Sequence, residues 1–405
     1  MLTLAEAQDL IRQGIRAPVI ERVALDQAVG RVLAEPVVAA EPYPVFNASS
    51  MDGYAVSSVM VRTANVRLPV VGESRAGSRP SKLAPGTAMR IFTGAPLPEG
   101  ADAVIMQEDV IREGGHALFG KKATQWQFVR GRGEDLGEGA TALAAGVRLG
   151  ASQIALCALL DRVWLPVTRR PHVAIVPTGS ELRAAGEAGI PGMIPEANGV
   201  AVAAMARNVG ATTTLFPPAP DIQEALDSTF AEALRGADLI VTIGGVSVGD
   251  HDMVRPTLEK LGVRTTFHKI ALKPGKPLLF GQLGDRHVLG LPGNPVSALV
   301  TFAFFGAPLL RLMQGETHAF PTPARAALGK TMRHAKGRLE LVRASVHLDP
   351  RDGAWVATPL PNQASGAVST LATADALIAL PADQETFTQG TPVDVYSCKD
   401  LGLAT

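Results

Sequence analysis

Cysteine is almost missing from this chain. Cys157 and Cys398 are the only two in 405 residues, and neither has a partner at metal-ligand spacing. That argues against a thiolate metal site and fits a reducing compartment. Surplus charge is missing too, since 38 Lys and Arg balance 38 Asp and Glu. No whole-protein field draws the chain to DNA or anionic lipid, so any anion binding must be local. Aromatic residues make up 5%, too few for the base-stacking platforms of single-stranded nucleic-acid binders. The longest apolar run, 296–310, is interrupted by Ser, Thr, Gly and Pro and falls short of a membrane span. The N-terminal MLTLAEAQDLIRQG carries acids where a signal peptide has its apolar core. The expectation is a soluble, cytoplasmic protein that engages neither nucleic acid nor membrane.

What is present is length and punctuation. A chain of 405 residues that is 46% apolar exceeds one compact core and implies two to four domains. Thr3-Leu4-Ala5-Glu6 reads as a capping box opening a helix to about residue 15. A second helical stretch is expected over 25–34, ending before Pro36. From 41 to 138 Pro and Gly recur every few residues between short β-rich pieces at 66–71, 88–92 and 103–107, which predicts a β domain with tight turns. The polar loop GRGEDLGEG leads out of it, and a helix over 151–160 follows. From 169 to about 315 the pattern alternates: strand 173–176, helix 199–209, strand 212–216, helix 223–234, strand 239–243. This is the signature of a doubly wound α/β unit. From 318 onward the texture is β again, with runs at 339–346 and 392–396. The fold class is therefore multidomain α/β plus β.

Three turns between 237 and 299 look built for oxyanions. In ADLIVTIGGVSVGDHD a buried strand stops at Gly244-Gly245 and a helix restarts near Asp252. Glycines let backbone N–H groups converge there, and a helix N-terminus adds partial positive charge. In VLGLPGNPVSAL a strand ends at Leu291, Pro292-Gly293-Asn294 forms a turn, and Pro295 sits where a first helical residue does not need its N–H. Between them, Lys269, Lys273 and Lys276 flank a Pro274-Gly275 turn. Taken singly, each element is also ordinary turn chemistry. Together they lie within about sixty residues, two of them at the carboxyl ends of expected parallel strands, which is where open α/β sheets bind ligands.

Other residues read two ways. Asp52 begins an Asp-Gly pair, which is either a plain turn or a carboxylate held at a cleft for proton transfer. Thr93-Gly94 follows a strand and is either a turn or an oxyanion donor. Thr178-Gly179-Ser180-Glu181 follows the first α/β strand with hydroxyls, N–H groups and a carboxylate. Asp221 after Pro220 suits a helix N-cap as well as a magnesium ligand, since Mg²⁺ takes one or two carboxylates plus substrate phosphates.

GGVSVGDHD, KPGKP and LPGNPVSA resemble the signature run of the molybdopterin molybdenumtransferases, the family that includes the E domain of gephyrin. Ser50-Met51-Asp52-Gly53-Tyr54-Ala55, Ile91-Phe92-Thr93-Gly94-Ala95-Pro96 and Pro177-Thr178-Gly179-Ser180-Glu181-Leu182 resemble family motifs in the family's order. The resemblance covers essentially the whole chain. It implies discontinuous domains: 1–21 with 169–316 as the α/β molybdopterin-binding-like domain, and 22–40 with 140–168 as a linking helical/β domain. Residues 41–139 then form the Gly/Pro-rich β domain and 317–405 a C-terminal β domain. Two departures are Ser180, where many members carry an acid, and Ala197, where relatives usually have an aspartate or serine near the asparagine.

The resemblance also implies roles. Asp52, Thr93, Glu181, Lys269, Lys273 and Lys276 are the expected catalytic positions. Thr178, Gly179, Ser180, Gly244, Gly245, Ser247, Gly249, Pro292, Gly293, Asn294 and Pro295 are expected to bind substrate, with Arg338, Arg343 and Ser365 as further anion contacts. Asp252, Asp221 and Glu181 are the expected Mg²⁺ ligands. The implied reaction transfers molybdenum from molybdate to adenylylated molybdopterin and releases AMP. The sulfur ligands of the metal belong to the pterin, which reconciles metal handling with so few cysteines. A homodimer is implied, and the adenylyltransferase and downstream cofactor-maturation proteins are candidate partners. Two alternatives carry different predictions: an enzyme that adenylylates molybdopterin, which would need only the α/β unit, and a scaffold like gephyrin's E domain.

Overall fold

The computed structural model describes residues 1–245 and 253–404. A six-stranded sheet forms its centre, from β1 (His172–Pro177), β2 (Thr212–Leu215), β3 (Leu239–Ile243), β4 (Arg264–Lys269), β5 (Pro277–Leu283) and β6 (Arg286–Leu291). Their order is β2-β1-β3-β6-β5-β4. β1 runs parallel to β2 and β3, and β3 parallel to β6, whereas β5 is antiparallel to both β6 and β4. β3 reads LIVTI and is buried along its whole length, as a strand covered on both faces must be. Helices Asn198–Asn208 and Pro295–Thr301 pack on one face with the N-terminal helix Leu4–Gln13, and Gln223–Gly236 and Val254–Lys260 on the other.

The register fixes where the turns fall. Pro177 pairs with Ile243, and Ile243 with Leu291. Three parallel strands thus end in one row, and the segments that follow them emerge side by side.

The capping box at Thr3 forms as expected, with the Thr3 side chain accepting from the Glu6 N–H and Glu6 returning to the Thr3 N–H. The helical segment Pro295–Met313 is long and apolar enough to span a membrane, but 78% of it is buried within the protein's own core.

The second helical stretch at 25–34 is not there. Only a short 3₁₀ turn, Leu25–Gln27, forms. Gly30 then takes a left-handed φ of 74°, which ends any helix. Val32 and Leu33 are buried and bridge Arg148 and Val167 as strand-like residues. Long-range pairing has overridden a weak helical pattern. The surrounding layer joins segments on either side of the β domain: Ile20–Ala24 pairs with Trp164–Thr168, and Val37–Val38 with Thr141–Leu143.

The Gly/Pro-rich region forms its own six-stranded mixed sheet, with Gly53–Val56 between Ala88–Ile91 and Ala103–Met106. The C-terminal region forms a third six-stranded sheet around Leu339–Leu348, Trp355–Pro359, Ala376–Leu380 and Pro392–Ser397. Its edge strand comes from elsewhere in the chain. Leu272–Lys273, inside the lysine turn, pairs in parallel with Leu339 and Glu340. Both cysteines are buried and unpaired, and burial pushes the Cys398 thiol up to about 12, so neither offers a reactive thiolate.

Candidate active site

The row of strand ends opens into a cleft of about 550 Å³. Thr178 and Gly179 line it after β1, Gly244 and Gly245 after β3, and Pro292 to Pro295 after β6. Gly244 is required by geometry. It sits at φ 98°, and a Cβ there would meet the Thr178 carbonyl oxygen at 2.5 Å. The two turns can pack this closely only without a side chain between them. Pro295 stands in the first helical turn, where its missing N–H costs nothing.

Three carboxylate residues line the same space, Glu181, Asp221 and Glu196. Asp221 does not cap the following helix, whose cap position is Ile222. Instead its Oδ2 accepts from the Ser180 N–H at 3.2 Å, and its own N–H donates to Ser180 Oγ at 3.0 Å. This reciprocal pair fixes Ser180 and Asp221 to each other at the rim.

Sequence reasoning missed two lining residues as site candidates. Asn198 donates from Nδ2 to the Gly293 carbonyl at 2.8 Å, tying the start of helix Asn198–Asn208 to the Pro292–Pro295 turn. Glu196 is buried, and its Oε1 accepts from the Gly199 N–H at 2.6 Å. Their signal was present in PEAN, an acid and an amide at a helix start.

Residues 2–160 match the MoeA N-terminal region (domain I and II), 174–312 a probable molybdopterin binding domain, and 325–398 the MoeA C-terminal region (domain IV). The molybdopterin molybdenumtransferase of Synechococcus elongatus is 35% identical over 388 residues, which is 93% of this chain and 94% of that protein. The Bacillus subtilis protein of the same name is 35% identical over 397 residues, 94% of this chain and 90% of its own. The chain belongs to the molybdopterin molybdenumtransferase family. A crystal structure of a molybdopterin biosynthesis MoeA protein from Pyrococcus horikoshii superposes with a TM-score of 0.82 at 31% identity, covering 98% of this chain and 99% of that one. The multidomain α/β plus β architecture is thus that of the family, and the chain is a transferase of molybdenum cofactor biosynthesis.

The remaining expected residues of the transferase separate into groups. Asp52 and Thr93 stand together in the β domain, because Gly53 pairs with Ile91 and brings their turns side by side. The Thr93 N–H and hydroxyl both donate to Asp52 Oδ1 at 2.8 Å. These bonds, helped by Arg90, hold the Asp52 carboxyl below its usual range. Neither residue lines the α/β cleft.

The lysines lie beside the cleft and not in its wall, although Pro277, which follows Lys276, does line it. Lys269 ends β4 opposite Pro277. The Lys276 carbonyl accepts from the Ile270 N–H at 3.0 Å and closes the turn. The Lys273 ammonium is 2.8 Å from Glu340.

In the C-terminal region the three expected contacts diverge. Arg343 is 1% exposed, and its Nη2 donates to the carbonyls of Asn362 and Ala364 at 2.8 and 3.1 Å. Its guanidinium therefore supports the 362–365 loop from inside and is not presented to the cleft. That loop matters for placement, since the Ser365 carbonyl accepts from the Val296 N–H at 3.0 Å, at the helix start that lines the cleft. Arg338 is half-buried, one residue before the ladder with Leu272. Ser247, Gly249 and Asp252 lie outside the described residues.

Proposed function

We propose that this transferase moves molybdenum from molybdate to adenylylated molybdopterin with release of AMP, in the cleft at the ends of β1, β3 and β6. The observation that carries the reading is the alignment of three anion-type turns with the carboxylates of Glu181 and Asp221 at one sheet edge. Both substrates are anions, and backbone N–H groups at strand ends and helix starts bind phosphate and tetrahedral oxyanions without a net positive protein. The relatives that match the whole chain carry the transferase name, which favours this reaction over adenylylation by the α/β unit alone.

Among the described residues, no cluster of three His, Cys, Asp or Glu side chains could cage a metal. That composition still fits Mg²⁺, which takes one or two carboxylates and leaves its other positions to phosphate oxygens and water. Glu181 and Asp221 are the residues that would hold it, with Asp252 as a third carboxylate from the sequence. Bound there, Mg²⁺ would neutralise charge on the phosphoanhydride as it breaks.

The chain's own residues then divide the work. The turns at 178–179, 244–245 and 292–295 bind and orient the phosphate-bearing substrate. Lys273 and Lys276 supply ammonium groups to an oxyanion. Asp52 is a carboxylate whose charged form is held by the two Thr93 donors; ionised at neutral pH like any ordinary aspartate, it accepts protons and does not donate them. As Asp52 and Thr93 are absent from the cleft lining, we assign them to completing the cleft of a partner subunit in a two-fold homodimer. The protein would act in the cytoplasm.

The test is AMP release from adenylylated molybdopterin with molybdate and Mg²⁺. Wild-type protein should release AMP only with molybdate present. Asp221→Asn and Glu181→Gln should lose release while retaining pterin binding and raise the Mg²⁺ concentration needed. Normal turnover in both variants with unchanged Mg²⁺ dependence would refute the assignment.

A further inference from the structure

The lysine turn and the C-terminal sheet are joined by one ionic contact whose acidic partner has no assigned role. Lys273 stands opposite Glu340 in the parallel ladder between Leu272–Lys273 and Leu339–Leu348, and Nζ lies 2.8 Å from Oε1. The two side chains differ in exposure: the lysine is 50% exposed, the carboxylate 11%. Behind Glu340 lies His334, with its side chain 2% exposed and Nδ1 3.4 Å from Oε2. Its Nε2 faces the carbonyls of Pro381 and Gln384 at 3.1 and 2.7 Å. Facing only acceptors, that nitrogen carries the proton and donates. The imidazole is thereby fixed from behind and walls the carboxylate in. An ammonium has three N–H donors; Glu340 takes one, and the exposed side leaves the others for an oxyanion.

We propose that Glu340 is a positioning residue for Lys273 in molybdate binding. It holds the ammonium at the boundary with the C-terminal sheet, and a molybdate oxygen takes the donors that remain. This rests on the reading of Lys273 as an anion contact. Two effects of the carboxylate oppose each other. Its charge repels a dianion, but it also fixes a long side chain whose rotamer freedom is otherwise lost on binding. Position outweighs charge here because Glu340 is buried with the ammonium on its solvent side.

The experiment is titration with molybdate of the full-length protein as wild type, Glu340→Ala, Glu340→Gln, Lys273→Gln and the Glu340→Ala/Lys273→Gln double variant. Gln keeps an oxygen to which the lysine can donate, and Ala removes it. Glu340→Ala should bind molybdate roughly three- to tenfold more weakly, the scale of one hydrogen bond. Glu340→Gln should restore most of that loss, and Glu340→Ala should have no further effect once Lys273 is replaced. In turnover assays the same loss should appear in KM for molybdate, with kcat little changed. An equal loss in the Lys273→Gln background would make Glu340 merely structural and overturn the proposal. Tighter binding in both Glu340 variants would overturn it by making the charge an obstacle. Normal affinity in Lys273→Gln would overturn the lysine reading and the proposal together, whereas weak binding by Lys273→Gln beside normal binding by Glu340→Ala would overturn positioning alone. Should Glu340→Ala not fold, Glu340→Asp draws the carboxylate back by one methylene and must weaken binding only when Lys273 is present.

Discussion

Thr93 donates twice to a single oxygen of Asp52, once from its backbone N–H and once from its hydroxyl, both at 2.8 Å. The pair sits where Gly53 pairs with Ile91 in the β-domain sheet; Asp52 is half-buried, and burial acts on its carboxyl in the raising direction. Its depressed pKa therefore comes from hydrogen bonds to the charged form and not from burial. The backbone bond contributes most and the hydroxyl next.

Thr93→Val keeps the backbone donor and deletes the hydroxyl. The Asp52 pKa should move part of the way back toward the ordinary carboxylate value, and a carboxyl-carbon NMR titration would follow it. If Asp52 accepts protons during turnover, the acid limb of the rate profile should shift upward in the same direction. An unmoved Asp52 titration would mean that the hydroxyl contributes nothing to the charged form.

The Asn198 to Gly293 bond gives a second expectation. Asn198→Ala removes a single hydrogen bond of the neutral kind, which contributes about 0.5–1.5 kcal/mol. Because that bond ties two walls of the cleft, the loss should appear in affinity for adenylylated molybdopterin more than in thermal stability. Calorimetric titration of the variant checks this. Wild-type affinity with a lowered melting temperature would reduce Asn198 to a helix-start residue.

The α/β unit was legible because its signals are local. Buried β3 reads as a continuous apolar run, glycine and proline mark the turns, and the Thr3 capping box lies within one helical turn. These features also locate most of the cleft, since strand ends and their turns are contiguous in sequence. What was not legible depends on contacts across domains. Gly30 and the Val32–Leu33 bridges defeat a helix only through partners at 147–148 and 167. The addition of Leu272–Lys273 to the C-terminal sheet needs residues 339–340. Arg343 looks like any anion-binding arginine until the carbonyls of Asn362 and Ala364 claim it. A side chain's direction at a domain boundary is set by tertiary packing, and no periodicity encodes it.

His287 makes stability depend on pH. The ring begins the second residue of β6, stacks on Phe280 with centroids 6.0 Å apart, and is 4% exposed. Burial pushes its pKa down from 6.5 to about 4, with Asp238 and Asp285 opposing the shift and Arg16 adding to it. Between those values the unfolded chain binds the proton and the folded one does not. Stability therefore rises with pH across this window and is lost as pH falls from about 6.5 through about 4. The full swing is on the order of 3 kcal/mol. His287→Gln cannot titrate, so its denaturation midpoint should change much less between pH 6.5 and 4.5 than that of the wild type. Equal slopes in the two proteins would assign the acid sensitivity elsewhere.

Gly275, between Lys273 and Lys276, offers the sharpest test of the lysine turn. It sits at φ 112°, and a Cβ there would lie 2.3 Å from Thr301 Cγ2. Thr301 cannot move aside easily. It is fully buried in the helical segment that lines the cleft, and its hydroxyl donates to the Ser297 carbonyl at 2.7 Å. Gly275→Ala therefore meets two separate costs, about 1–2 kcal/mol for an L-residue in a left-handed conformation and about 1–3 kcal/mol for overpacking. The turn should yield before the helix does, which displaces both ammonium groups, so molybdate affinity should fall even at temperatures where the variant is fully folded. Thr301→Ser removes the obstructing methyl and keeps the hydroxyl. Added to Gly275→Ala, it should recover the overpacking part of the stability and some of the affinity, while the backbone part persists. If Gly275→Ala binds molybdate normally, the lysines do not depend on this turn, and the anion is held by the strand-end turns of the cleft instead.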